Sequence, residues 1–286
     1  MPSPRLLALD LDGTLLRRDG TIDARDLAAI RRAREGGVHV TIATGRLATG
    51  AIATARALEL DAPMVCADGG TMVCTRTGAL LEQWGLDLPR TEAVLRILGE
   101  HTLAPFVFMH DVIHCDELAR AHAPYVSTWT TEVTIHPSLA EATGWRRPDD
   151  ATGVAMTLGI GERARVEAAH AAIERAHGGA LHTVAFGLSS RPEWVLRSMA
   201  SGRSKGVGVE RLAERLGVAR ANVAVVGDWM NDLSMFAWAG RSFAMGQAPE
   251  IVRAAATDRL EATATTGGGV AEAIERWLSS PPSGAS

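Results

Sequence analysis

Leu6-Leu7-Ala8-Leu9-Asp10-Leu11-Asp12-Gly13-Thr14 sets four apolar residues before two carboxylates spaced two apart and a glycine. The apolar run reads as a buried strand with Asp10 at its C-terminal end. In an extended backbone the side chains of Asp10 and Asp12 leave on the same side. Like charges that close are unfavourable unless a cation or a proton is shared between them. Gly13 lets the chain turn away with backbone amides free to face an anion, and Thr14 can brace the turn.

Working outward, Asp23 can cap a helix whose apolar side holds Leu27 and Ile30 and which Gly36-Gly37 ends. Val38–Ala43 is a second strand that runs into Thr44-Gly45-Arg46, and Pro63–Cys66 is a third after an intervening helical stretch. A strand–helix–strand–helix–strand rhythm implies a parallel sheet with helices on its faces. The same rhythm returns near the other end. A helix opens near Ser204, Val223–Val226 is a strand, and Gly227-Asp228-Trp229-Met230-Asn231-Asp232 follows at its tip. Between these parts the chain mixes strands and helices without that rhythm. The expected architecture is therefore α/β, a doubly wound, Rossmann-like parallel-sheet core of residues 1–83 and 191–286 with an α+β domain of residues 84–190 inserted in it.

In an open parallel sheet, ligands bind outside the carboxyl ends of the strands. Asp10, Asp12, Thr44, Gly45, Arg46 and Asp228 all fall at such ends. Three carboxylates there make an all-oxygen site of the kind Mg²⁺ prefers, with room left for water and phosphate. Composition narrows the field further. The chain of 286 residues is 47% hydrophobic and 22% charged with a formal net charge of −4, so no basic field recruits nucleic acid or a membrane surface. No apolar run approaches the ~20 residues of a membrane span. Met1-Pro2-Ser3-Pro4-Arg5 turns charged too soon for a secretory signal, and three cysteines without metal-ligand spacing fit a reduced compartment, so a cytoplasmic monomer or homodimer is expected. Of the 29 basic residues only Lys205 is a lysine.

Asp10-Leu11-Asp12-Gly13-Thr14 resembles the nucleophile loop of the haloacid dehalogenase superfamily. Thr44-Gly45-Arg46 resembles its second motif, Lys205 its third, and Gly227-Asp228-x-x-Asn231-Asp232 its fourth. The Thr-Gly-Arg triplet, the insertion after the third strand and the ending Met245-Gly246-Gln247-Ala248-Pro249 resemble the Cof-type branch, class IIB, with its large α+β cap. This resemblance implies a Mg²⁺-dependent phosphatase acting on a small phosphate ester such as a sugar phosphate, nucleotide or cofactor phosphate. Asp10 would be the nucleophile, and Asp12 the acid and base. Asp10, the carbonyl of Asp12, and Asp228 would hold the metal. Thr44, Gly45, Arg46, Asn231 and Lys205 would bind substrate, Lys205 also serving in catalysis. A phosphomutase and a non-catalytic phosphate-binding regulator are the alternatives on the same scaffold. Two positions depart from the family pattern: Asp68-Gly69 stands where Asn-Gly is common, and Gln247 where Asn is common. Trp229, between motif positions, reads either as a packing residue or as one that faces the cap and stacks on the leaving group.

Overall fold

The computed structural model describes residues 3–146, 153–188 and 191–279. Its strands in chain order are β1 (Arg5–Leu9), β2 (Val38–Ile42), β3 (Met64–Cys66), β4 (Thr71–Val73), β5 (Leu80–Gln83), β6 (Ala104–Phe108) and β7 (Ile113–Asp116). They continue with β8 (Val133–His136), β9 (Met156–Gly161), β10 (Leu181–Gly187), β11 (Trp194–Ala200), β12 (Val223–Gly227), β13 (Arg241–Ala244) and β14 (Asp258–Arg259). The chain divides into two compact units, one of residues 1–45, 51–81 and 204–286, the other of residues 46–50 and 82–203.

The first unit is built on a parallel sheet in the order β14-β13-β12-β1-β2. Its central strands are apolar end to end because helices cover both faces of such a sheet. Leu6, Leu7, Leu9 and Val223 to Val226 have no exposed surface. Leu9 is in register with both Val226 and Ile42, so the residues that follow each strand emerge together along one edge. The helix Ala24–Glu35 begins where Asp23 accepts a hydrogen bond from the Arg25 amide. The buried Asp26 side chain on this helix accepts from the amides of Gly268 and Ala271, at 3.2 and 2.7 Å, and so caps the helix Gly269–Leu278. Two segments more than 240 residues apart are fastened there.

One strand departs from expectation. Pro63–Cys66 reads as a member of the parallel sheet, but β3 meets that sheet through an isolated parallel bridge between Val65 and Ala43 rather than along its length. It pairs antiparallel with β4 in a separate sheet of order β3-β4-β5. With only three residues before the turn at Ala67–Gly69, β3 meets its own continuation before it can extend the larger sheet.

The second unit carries a six-stranded sheet of order β10-β11-β9-β6-β7-β8, antiparallel except for the β7–β8 pair. The helices Leu88–Glu100 and Arg163–His177 supply Val94, Leu98, Val166 and Ile173 to its core beside Leu103 and Trp145. The sequence places residues 191–203 with the parallel core. They belong here instead, because β11 pairs along its length with β10 and β9. His114 lies in β7, its ring stacked on His136 with Nδ1 2.9 Å from the other ring's Nε2. Among the described residues no helix is long and apolar enough to cross a membrane.

Candidate active site

Three chain segments meet at the carboxyl edge of the parallel sheet. β1 delivers Asp10, whose amide donates to the Val226 carbonyl at 2.9 Å and whose side chain is 8% exposed. β12 delivers Asp228. The helix Lys205–Leu216, capped by Ser204 on the Val207 amide, sends the Lys205 side chain to the same place. The lysine is buried, its Nζ 2.5 Å from Asp10 Oδ1 and 2.7 Å from Asp232 Oδ1.

Asp232 holds this arrangement from behind. Its Oδ1 accepts from Lys205, and its Oδ2 accepts from the amides of Asp228 and Trp229, each at 2.9 Å. The carboxylates of Asp10, Asp228 and Asp232 lie within 4.8 Å of one another. Asp232 is thereby tied to Lys205 and to the backbone of its own turn, beside the carboxylates of Asp10 and Asp228.

Asp228 is aimed by two neighbours. Thr14 Oγ1 donates to its Oδ1 at 3.3 Å and Gln247 Nε2 to its Oδ2 at 3.1 Å. Gln247 also donates to the Gly13 carbonyl at 2.6 Å and accepts from the Ala264 amide at 3.0 Å, which fixes the polarity of its own amide. Gly13 has φ +83°, and a Cβ there would lie 2.5 Å from Asp228 Oδ2, so only glycine lets the first loop approach so closely.

The electrostatics follow from crowding charge in a dry place. Burial pushes the Asp10 carboxyl above its ordinary range, and Asp232 and Asp228 add to the rise, while Lys205 opposes it. Burial and the charge of Asp232 push Asp228 up to about 6. Burial works against the charge on Lys205, but Asp10, Asp232 and Asp68 outweigh it, so the ammonium is held above its usual range. A single lysine thus faces a surplus of negative charge on oxygen donors. That is the donor set and the charge deficit a hard divalent cation satisfies.

A pH test follows from Asp228. A carboxyl raised to about 6 in the fold and lying near 3.9 when unfolded favours folding below the lower value. That advantage is lost as the pH rises through the upper one. In metal-free protein, Asp228→Asn should therefore gain melting temperature over the wild type as the pH climbs from 4 through 6, and added Mg²⁺ should close the gap. A difference that stays flat with pH contradicts this.

The other sequence candidates are placed as follows. Thr44 is buried, its amide donating to the Val65 carbonyl and its carbonyl accepting from the Asp68 amide. Gly45 lies against the Asp68 carboxylate, with a Cβ built on it 3.2 Å from Oδ1. Asn231 Nδ2 donates to that same Oδ1 at 2.8 Å. Asp12 is exposed at the turn, outside the cluster of three carboxylates. Arg46 falls in the second unit, where its Nη1 donates to the Gly50 carbonyl at 3.0 Å. Residues 46–50 go with that unit because the Leu47 amide donates to the Trp129 carbonyl, 2.9 Å away. Trp229 is 58% exposed, so the packing reading does not hold. Sequence reasoning gave Asp68 and Gln247 no role, although both stand out there as departures in otherwise recognisable motifs.

The profile of the haloacid dehalogenase-like hydrolases matches residues 7–274 of the chain. Among curated relatives, the pyridoxal phosphate phosphatase YbhA of Escherichia coli is 28% identical over 88% of this chain and 91% of its own. The HMP-PP phosphatase of Yersinia pestis is 30% identical over 97% of this chain and 96% of its own. Among solved structures, a haloacid dehalogenase-like hydrolase from Bacteroides thetaiotaomicron superposes with a TM-score of 0.80. That structure is 25% identical and covers 96% of this chain and 100% of its own.

Proposed function

Because the chain belongs to the haloacid dehalogenase-like hydrolases, of the Cof type, we propose that it hydrolyses a small phosphorylated metabolite through an aspartyl-phosphate on Asp10. The observation that carries this reading is the buried contact of Asp10 with Lys205 beside Asp228 and Asp232 at the sheet edge. Lys205 holds Asp10 Oδ1, which leaves Oδ2 to attack phosphorus. As that P–O bond forms, the bond to the leaving oxygen breaks, and Asp12 supplies the proton the leaving oxygen needs. Asp12 then takes a proton from water, the water oxygen bonds to phosphorus, and the bond to Asp10 breaks. The exposure of Asp12 suits a group that must exchange protons with leaving alcohol and water in turn.

The carboxylates of Asp10 and Asp228, with the Asp12 carbonyl, would hold Mg²⁺. Its charge offsets the repulsion between an anionic nucleophile and a phosphate dianion. Thr44, Gly45, Asn231 and Lys205 supply donors for the non-bridging oxygens, and Arg46 is a further substrate-binding candidate. The phosphorylated compounds that the relatives' names carry support a small metabolite as substrate.

A panel of pyridoxal phosphate, sugar phosphates and nucleotides, with and without Mg²⁺, tests the reading. Mg²⁺-dependent phosphate release from at least one member is expected. Release that EDTA leaves untouched, or no release from any member, contradicts it.

A further inference from the structure

Ala67, Asp68 and Gly69 have φ of +50°, +52° and +88°, three successive residues in the left-handed region. Asp and Gly accept that region more readily than Ala, so the turn persists only because its surroundings hold it. The Asp68 amide donates to the Thr44 carbonyl at 3.1 Å. A Cβ on Gly69 would lie 2.1 Å from the Ser204 carbonyl, so the turn is seated against the start of the helix that carries Lys205. Thr44, Lys205 and Asn231 come from three separate chain segments, and this turn touches all three.

Asp68 at its tip is a buried residue, 4% exposed, and its Oδ1 accepts from Asn231 Nδ2 at 2.8 Å. A carboxylate can only accept hydrogen bonds, whereas an amide can face a neighbour with either end. Asp68 therefore forces Asn231 to present Nδ2 and turns its carbonyl oxygen elsewhere. The second Nδ2 hydrogen remains for another acceptor, and the anionic partner strengthens the amide as a donor. The same Oδ1 lies over Gly45, and the charge of Asp68 also favours the protonated form of Lys205.

We propose that Asp68 is a positioning residue that fixes the polarity of the Asn231 amide, so that Asn231 offers a hydrogen rather than a lone pair to the phosphoryl group. This rests on the reading above in which Asn231 faces that group. An asparagine at position 68 would keep the left-handed turn and a hydrogen bond, yet would let the pair form in either sense. The charge is what selects one.

The test is a double-mutant cycle of Asp68→Asn, Asn231→Ala and the double variant. Two quantities are read in Mg²⁺: kcat/KM on the best ester of the panel, and the affinity for inorganic phosphate by calorimetry. Asp68→Asn should lose about tenfold in each, Asn231→Ala about tenfold to a hundredfold, and the double variant no more than Asn231→Ala alone. Asp68→Gly, which also accepts a left-handed φ, serves the same cycle if Asp68→Asn folds poorly. Wild-type values for Asp68→Asn, or losses that multiply in the double variant, overturn the inference while leaving the proposed function intact. Wild-type protein that binds phosphate but hydrolyses no ester overturns the function, and the binding arm still decides the role of Asp68. Wild-type protein that does neither overturns both.

Discussion

Asp10→Asn should lower phosphate release by roughly four to six orders of magnitude, the scale of losing a nucleophile that forms a covalent intermediate. The substitution preserves size, and the amide oxygen can still accept from Lys205. What disappears is the charge that attacks phosphorus. Stability should move the other way. Asp10 is buried among like charges that push its carboxyl upward, so a neutral side chain relieves repulsion in the metal-free protein. The expected result is a protein that melts no lower than wild type without metal and does not turn over. Activity within a hundredfold of wild type would move the nucleophile elsewhere.

Lys205→Arg carries the second large effect, a loss of tenfold to a thousandfold in rate with the charge retained. The ammonium reaches Asp10 and Asp232 from a position with 1% exposure, three donors on one compact atom. A planar guanidinium cannot put one nitrogen in that place without displacing Asp10 or the turn at Asp68. Lys205→Met should be worse in another respect. It leaves Asp10 and Asp232 buried without a counter-charge, which costs about 3–5 kcal/mol on the scale of broken buried pairs. Urea unfolding separates the two variants: Arg chiefly loses rate, and Met loses rate and stability together. Turnover near wild type in well-folded Lys205→Arg would remove the lysine from the chemistry.

How much of this was visible in the chain follows from where the information sits. Asp10 and Asp228 could be found because each ends an apolar run, and parallel strands in register bring such ends to one edge. Lys205 stood out by composition and by its place at the start of a helix. Asp232 was legible as part of a motif, but not the division of its two oxygens between a lysine and two amides. Asp68 and Gln247 acquire their partners only when distant segments close. Gln247 spans 234 residues to reach Gly13, and no local period encodes that. The boundary near 191 failed for a related reason. β11 is an apolar strand like those of the core, and only its antiparallel pairing with β9 and β10 says which sheet it joins. Arg46 follows Gly45 directly in sequence, yet the backbone bond from Leu47 to Trp129 takes it into the other unit.

The central claim, a covalent phosphoryl group on Asp10, is tested most directly by trapping it. Wild-type protein and Asp12→Asn, turning over the best ester of the panel in Mg²⁺, are quenched into hydroxylamine and the peptides read by mass spectrometry. Hydroxylamine converts an acyl phosphate to a hydroxamate at the residue that carried it. A hydroxamate on Asp10 in the wild type, and on no other carboxylate in either protein, is the predicted result. Sustained turnover with Asp10 unmodified, or with the hydroxamate on another carboxylate, would contradict it.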